Sequence, residues 1–372
     1  MRVVVAPDGF GGTLTAVEAA AAVARGWTSA APGDDVALVP LSDGGPGLVD
    51  VLAAARPGAQ VRTAVVEDPL ARPVEAAWLL DGDSAWVESA AACGLHLLAD
   101  DERDPGRTST HGVGQLVRAA LDAGARRVVV GLGGSATNDG GAGALAALGL
   151  TGLDEVGERL PPGGRVLARV ARLAGEPDPR LTAVELVAAT DVDAPLLGLH
   201  GASAVFGPQK GASREDVMAL DAALERWADA LEAHLDVAVR ELPGAGAAGG
   251  LGAALLAVGA RRTPGLDLVA DAVGLAGAVA AADVVVTGEG TYDATSLRGK
   301  VTGGVAALAA EHAVPCLVLA GQVRVGRREA AAAGVDAAYA VADAVGLETA
   351  LADPAGELAG LAARVAREWS RQ

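Results

Sequence analysis

Residues 126–141, RRVVVGLGGSATNDGG, set a short run of valines directly before a glycine-rich loop. The run is continuous rather than alternating, as in a strand buried on both faces of a parallel sheet. Two other stretches share this grammar, RVVVAPDGFGGT at 2–13 and DVVVTGEGTYDATSLRGK at 283–300. Each ends in a loop of Gly with Asp, Asn, Ser or Thr, and open α/β sheets collect ligands at the carboxyl ends of such strands. Helical stretches lie between them. Thr15 with Glu18 has capping-box spacing ahead of an alanine-rich run to about Ser29, and Ser213 with Asp216 opens a longer one to about Leu235. Further alanine-rich stretches near 116–124, 304–312 and 346–367 also read as helices. This alternation predicts an α/β fold.

With 372 residues and 51% hydrophobic content, the chain is long enough for two domains. A net charge of −18 repels nucleic acid and anionic membrane over most of the surface. Cys93 and Cys316 are far apart in apolar surroundings, which suits a reduced compartment better than a disulfide framework. No CxxC or HExxH pattern occurs, and the five histidines have no metal-ligand spacing. The start, MRVVVAPDG, is too short for the apolar region of a signal peptide, and no charge-free apolar stretch reaches about 18 residues. A cytoplasmic protein, monomer or homodimer, is expected.

Only two of the 29 basic residues are lysine, Lys210 in FGPQKGA and Lys300 in LRGKVTGG. A compact ammonium kept in a glycine-flanked loop suits point contact with an anion such as phosphate. Neither fits a Walker A loop, because Ala294 and Val301 stand where Lys300 would need Gly and Ser or Thr. Gly131, Gly133 and Ala136 match GxGxxG/A after a strand, and Asp154 or Glu155 stands near the ribose-binding distance, so a nicotinamide-dependent oxidoreductase is one reading. Against it, Thr137 to Gly141 prolong the loop with poor helix formers, making a nest of N–H groups and hydroxyls for phosphate oxygens. PGAGAAGGLG at 243–252 offers only backbone, as a phosphate cradle, a hinge or a turn. Carboxylates recur at loop starts: Asp8, Asp43, Asp191 with Asp193, and Glu289 with Asp293. Phosphoryl transfer needs such groups to hold a metal and to orient or deprotonate a hydroxyl. Asp191 follows LVAAT, a strand-like run, and so projects from a strand end.

Taken in order, APDGFGGTLTA, LSDGGPG, VVVGLGGSATNDGGAG, TDVDAPLLG, GASAVFGPQKGA, PGAGAAGGLG and TGEGTYDATSLRGK resemble the type I glycerate kinases over essentially the whole chain. The resemblance implies an ATP-dependent kinase that phosphorylates glycerate to 2-phosphoglycerate with magnesium. It also implies a discontinuous flavodoxin-like α/β domain from 1–70 and 275–372, an inserted α/β domain at 71–274, and an active site in the cleft. In that reading nucleotide lies on Gly133, Gly134, Ser135, Lys210, Lys300, Gly246 and Gly249. Asp191, Asp293 and Lys210 serve catalysis, Asp191 and Glu289 the magnesium, and Asp8, Asp43, Asn138 and Asp139 the acceptor.

The chain departs from the family pattern at its first loop, where Gly9 and Gly11 replace Ser and Lys, and at Pro46 and Leu48, which replace Glu and Thr. The family's Asn is Ala194, and its Arg, Gln and Thr are Thr291, Thr295 and Ser296. Nucleotide loops are thus retained while acceptor loops lose two cations and several donors. A carboxylate brought into such a site loses contacts of about 2 to 5 kcal/mol each. This split predicts a less acidic or bulkier hydroxyl acceptor, or a non-catalytic nucleotide-binding relative.

Overall fold

The computed structural model describes residues 1–297 and 300–370, so Arg298 and Gly299 of the LRGK segment lie outside the described residues. The chain divides into two compact units, the first comprising Met1–Asp43, Asp50–Pro57 and Leu266–Gln372, the second Gly44–Val49 and Gly58–Gly265. The first unit is discontinuous. Its limits fall at 57 and 266 beside the expected 70 and 275, the first because the strand Gln60–Glu67 pairs along its whole length with Pro73–Asp81 in the second unit. Residues 44–49 of the DGGPG loop also belong to the second unit.

The first unit is built on five parallel strands in the spatial order Asp35–Leu38, Arg2–Val5, Val284–Thr287, Cys316–Ala320, Ala337–Ala340. Numbered along this unit the order is 2-1-3-4-5, the flavodoxin-type winding. Val3, Val4 and Val5 pair with Val284, Val285 and Val286, and all six are buried, which is why both runs are valine without alternation. The helix Ala16–Ala30 starts where its capping box predicts. Thr15 Oγ1 accepts from the Glu18 N–H at 3.1 Å, and the Glu18 carboxylate accepts from the Thr15 N–H at 2.8 Å. The stretch near 346–367 is divided into helices Leu347–Ala352 and Pro354–Trp369, because Pro354 lacks an N–H and Asp353 caps the second helix through the Gly356 N–H.

The second unit carries a six-stranded mixed sheet in the order Arg261–Thr263, Glu185–Ala189, Arg127–Gly131, Ser84–Glu88, Pro73–Asp81, Gln60–Glu67. The first four strands are mutually parallel and the last two pairings are antiparallel. Gly131 pairs with Glu88 on one side and Ala189 on the other, so the loops after three parallel strands begin side by side. The helix Arg214–Leu235 opens on the Ser213–Asp216 capping box and buries Leu220, Leu224, Trp227 and Leu231. Among the described residues no helix is long and apolar enough to cross a membrane.

The two chain ends are held together in the first unit. A Cβ on Gly26 would overlap the Ala359 carbonyl, so the helices Ala16–Ala30 and Pro354–Trp369 approach through that glycine. Gly26→Val is expected to cost about 1–3 kcal/mol through overpacking, visible as a lower midpoint in urea unfolding of the full chain.

Candidate active site

In the second unit the functional loop is assembled from backbone before any side chain enters. A Cβ on Gly131 would overlap the Gly44 carbonyl, and one on Gly133 would overlap Gly45, so DGGPG and GLGG lie backbone against backbone. The loop then pairs with residues 93–95: the Ala136 N–H donates to the Cys93 carbonyl at 2.7 Å and the Leu95 N–H to the Gly134 carbonyl at 2.9 Å. Ser135, Thr137, Asn138 and Asp139 are all buried.

Lys210 is the charge at the centre of this arrangement. It ends the 3-10 turn Pro208–Lys210, which Gly211 closes in the left-handed conformation at φ 97°. Its side chain is 2% exposed, and Nζ donates to Ser135 Oγ at 3.0 Å and to the Thr137 carbonyl at 2.7 Å. Burial pulls its pKa down to about 8, while Cys93 and Asp139 act the other way. Asp139 is saturated. Its Oδ2 accepts from the Thr110 N–H and hydroxyl at 2.8 and 2.9 Å and from the Gly143 N–H at 3.2 Å, and its Oδ1 accepts from the Gly141 N–H at 3.1 Å. Burial raises its pKa and these four donors oppose the rise. Asp139 therefore braces the loop rather than offering a free carboxylate to an acceptor. Asn138 donates to Ser203 Oγ at 3.0 Å, and its Oδ1 is buried with no hydrogen-bond partner.

Gly246 and Gly249, expected at the nucleotide, are buried against protein. A Cβ on Gly249, whose φ is 68°, would overlap the Thr137 carbonyl, and the Gly249 carbonyl accepts from the Gly140 N–H at 3.0 Å. PGAGAAGGLG is thus a backing that lets Thr137 to Gly140 settle. Sequence reading overlooks Thr110, whose only signal is the TST run ahead of the helix His111–Asp122. Asp191 lies two residues beyond the strand Glu185–Ala189, beside the start of the 132–141 loop, where the Leu132 N–H donates to the Ala189 carbonyl at 2.9 Å. Asp193 is instead paired with Arg262 at 2.6 Å.

The dinucleotide reading fails on the same geometry. After Gly131 the next helix begins only at Ala142, and Asp154 is occupied by the N–H groups of Val156 and Glu158 and by Arg169.

In the first unit, Asp8 and Glu289 follow the neighbouring strands Arg2–Val5 and Val284–Thr287, at the point where the strand order reverses. Crevices at such switch points are the ligand sites of doubly wound sheets. Asp8 Oδ1 accepts from the Gly9 N–H at 2.7 Å, and the Asp8 N–H donates to the Gly288 carbonyl at 2.9 Å. Burial, then the Asp43 carboxylate, push the Asp8 pKa up to about 7. The Gly9 N–H and Lys300 oppose this, and Glu289 adds to it. Glu289 is also raised by burial, partly offset by the nearby Thr302 and Ser296 hydroxyls, yet its Oε1 has no partner within bonding geometry. Lys300 is exposed at the N-cap of the helix Val301–Glu311, and its charge favours the ionised forms of Asp8, Glu289 and Asp293. The Asp293 Oδ1 is engaged by the N–H and hydroxyl of Thr295 at 2.8 and 2.6 Å, which hold its pKa below the usual carboxylate range. The two lysines belong to different units.

Because the Asp8 pKa is raised, its carboxyl favours the fold below pH about 4, and that contribution is lost as pH rises through about 7. Asp8→Asn removes the ionisable group in nearly the same shape. Its melting temperature is expected to exceed that of the parent by a few degrees at pH 8 and to converge with it towards pH 4.5, read by circular dichroism.

A model of the glycerate kinase family matches residues 3–370. The chain is 44% identical over 345 residues to a glycerate kinase of Bacillus subtilis, covering 92% of this chain and 90% of that one. It is 40% identical over 350 residues to the glycerate 2-kinase of Escherichia coli, covering 93% and 92%. The crystal structure of a putative glycerate kinase 2 from Salmonella typhimurium superposes with a TM-score of 0.83 at 41% identity, covering 99% of this chain and 98% of that one. With that extent of match on top of the loop architecture, the chain belongs to the glycerate kinase family and is a phosphotransferase acting on a hydroxyl group.

Proposed function

We propose that the protein transfers the γ-phosphoryl group of ATP to a hydroxyl of a small organic acid, glycerate going to 2-phosphoglycerate. The observation that carries this is the buried ammonium of Lys210 holding the Gly133–Ser135 loop through Ser135 Oγ and the Thr137 carbonyl. Backbone N–H groups of that loop, backed by a positive charge, suit phosphate oxygens. Lys300, exposed at a helix start, is a second cation for the nucleotide.

In the transfer, the bond between the γ-phosphorus and the oxygen bridging to ADP breaks, a bond to the acceptor oxygen forms, and the hydroxyl proton leaves. Asp191 takes that proton or orients the hydroxyl, with Asp293 as the next carboxylate for the task. Among the described residues no group of three or more His, Cys, Asp or Glu side chains is arranged to cage a metal ion. Magnesium in phosphoryl transfer is ordinarily held by one or two carboxylates together with water and phosphate oxygens, which this donor set can supply. Glu289, with its unpartnered buried Oε1, and Asp191 are the carboxylates proposed for it. When bound, magnesium neutralises charge on the β- and γ-phosphates. Asp8 and Asp43 face the acceptor's hydroxyls, with Asn138 Oδ1 as a further acceptor of hydrogen bonds. The reaction takes place in the cytoplasm.

Incubation with MgATP and D-glycerate should give ADP and a single new phosphomonoester, identified by phosphorus NMR. Nucleotide binding without ADP release on any hydroxy acid, sugar acid or polyol would defeat this reading in favour of a non-catalytic relative. Asp191→Asn should abolish turnover while leaving the ATP dissociation constant within a factor of about two, and an unchanged kcat would remove Asp191 from the mechanism. Lys210→Met should weaken ATP binding by about tenfold or more, in line with a charge-assisted contact of about 1.5–3 kcal/mol. Because burial pulls the Lys210 pKa to about 8, the ammonium is present below that pH and lost above it. ATP affinity of the parent should therefore fall as pH rises through about 8, while Lys210→Met stays flat in a calorimetric titration series.

A further inference from the structure

The loop that carries Asp191 is tied on both sides of that residue to the edge strand Arg261–Thr263. Before it, the Thr190 N–H donates to the Thr263 carbonyl at 3.0 Å, continuing the parallel pairing of Thr263 with Ala189. After it, Asp193 Oδ1 pairs with Arg262 Nη2 at 2.6 Å. Between the two ties the Val192 N–H donates to Thr190 Oγ1 at 3.2 Å, and beyond them the Ala194 carbonyl accepts from the Gly246 N–H at 3.0 Å. Asp191 therefore occupies a short span of chain that is fixed before and after it.

Three features separate Arg262 from an ordinary surface arginine. Its side chain is 24% exposed, whereas Arg261, one residue earlier, is 60% exposed and pairs with Glu185 at the far end of the neighbouring strand. Its stem lies in a space that only glycine leaves open: Gly244 adopts φ 86°, and a Cβ there would stand 2.8 Å from Arg262 Cδ and 3.3 Å from Thr190 Cγ2. Its Nε is buried with no hydrogen-bond partner, a cost that a side chain kept for stability alone would not carry. The ion pair does not repay that cost, because Asp193 is 77% exposed and pairs so close to water contribute little to stability. What the pair does achieve is to place residues 190–195, where Ala194 has no side-chain hydrogen bond to offer.

We infer that Arg262 is a positioning residue for phosphoryl transfer, acting through Asp193 to hold Asp191 at the end of its strand. The inference rests on the kinase reading, in which Asp191 takes the proton of the acceptor hydroxyl or orients it. Such a carboxylate must stand within hydrogen-bond reach of that proton. Without the tie Asp191 is present but misplaced, and a displacement of about 1 Å can cost on the order of a hundredfold in rate. The loss falls on kcat, because the groups proposed to bind nucleotide and acceptor belong to other loops.

The test is steady-state ADP release by the full chain with MgATP and D-glycerate, comparing the parent with Arg262→Met, Arg262→Lys, Asp193→Ala and the double variant Arg262→Met with Asp193→Ala. Arg262→Met is expected to lower kcat about tenfold while both KM values stay within a factor of about two. Arg262→Lys, which keeps a cation facing Asp193, should recover part of the loss. Asp193→Ala should lower kcat by a similar factor, and the double variant by no more than the larger single loss, as for two residues acting as one unit. Asp193 is largely exposed, so its variant should fold even if Arg262→Met does not, and circular dichroism melts verify both. A kcat within about twofold of the parent in both single variants, a raised KM with kcat unchanged, or losses that multiply in the double variant overturns the inference and leaves the kinase reading standing. An unchanged kcat in Asp191→Asn overturns it together with the role given to Asp191. No ADP release by the parent with glycerate or a wider set of hydroxy acids overturns the kinase reading as well.

Discussion

A lysine ammonium enclosed by protein is costly without hydrogen-bond acceptors, and a loop of the second unit supplies two of them. Lys210 Nζ has Ser135 Oγ and the Thr137 carbonyl as partners, and both belong to one loop. That loop cannot move away without stranding a buried charge. Asp139 pins its far end with four accepted hydrogen bonds, and Gly249 lets a second backbone close behind it. The result is a loop whose shape is fixed by protein contacts before any ligand arrives.

The first unit solves a different electrostatic problem. Asp8 and Glu289 are brought together by parallel strands on either side of the switch point, in surroundings that disfavour their ionised forms. The negative charges of Asp43 and Glu289 disfavour the Asp8 carboxylate, and Lys300 offsets part of that effect. A carboxyl group whose pKa is pushed up to about 7, as that of Asp8 is, can donate as well as accept hydrogen bonds near neutrality.

Much of this was legible in the residues. The valine runs gave away central parallel strands because a strand buried on both faces cannot alternate. Thr15 with Glu18 and Ser213 with Asp216 marked helix starts because a capping box is a local arrangement complete within four residues. The candidate loops were also visible, since Gly, Ser, Thr, Asn and Asp after a buried strand set N–H groups, hydroxyls and carboxylates at a strand end. What escaped was whatever depends on partners distant in sequence. Thr110 reads as an ordinary threonine until Asp139 is placed on it, and PGAGAAGGLG reads equally as cradle, hinge or turn until its neighbour is known. The domain limits were displaced for the same reason: the strand Gln60–Glu67 joins the second unit through pairing that composition does not record.

By itself, the sequence determined the α/β alternation, the loops that carry chemistry and the scarcity of lysine, because each is written in local pattern or count. Only the tertiary structure decided that Lys210 is buried beneath Ser135, that Asp139 is a brace, and that Asp8 feels the charge of Glu289. Burial and pairing across scores of residues set these outcomes, and solvation free energy depends on what surrounds a group in space, not on its neighbours along the chain.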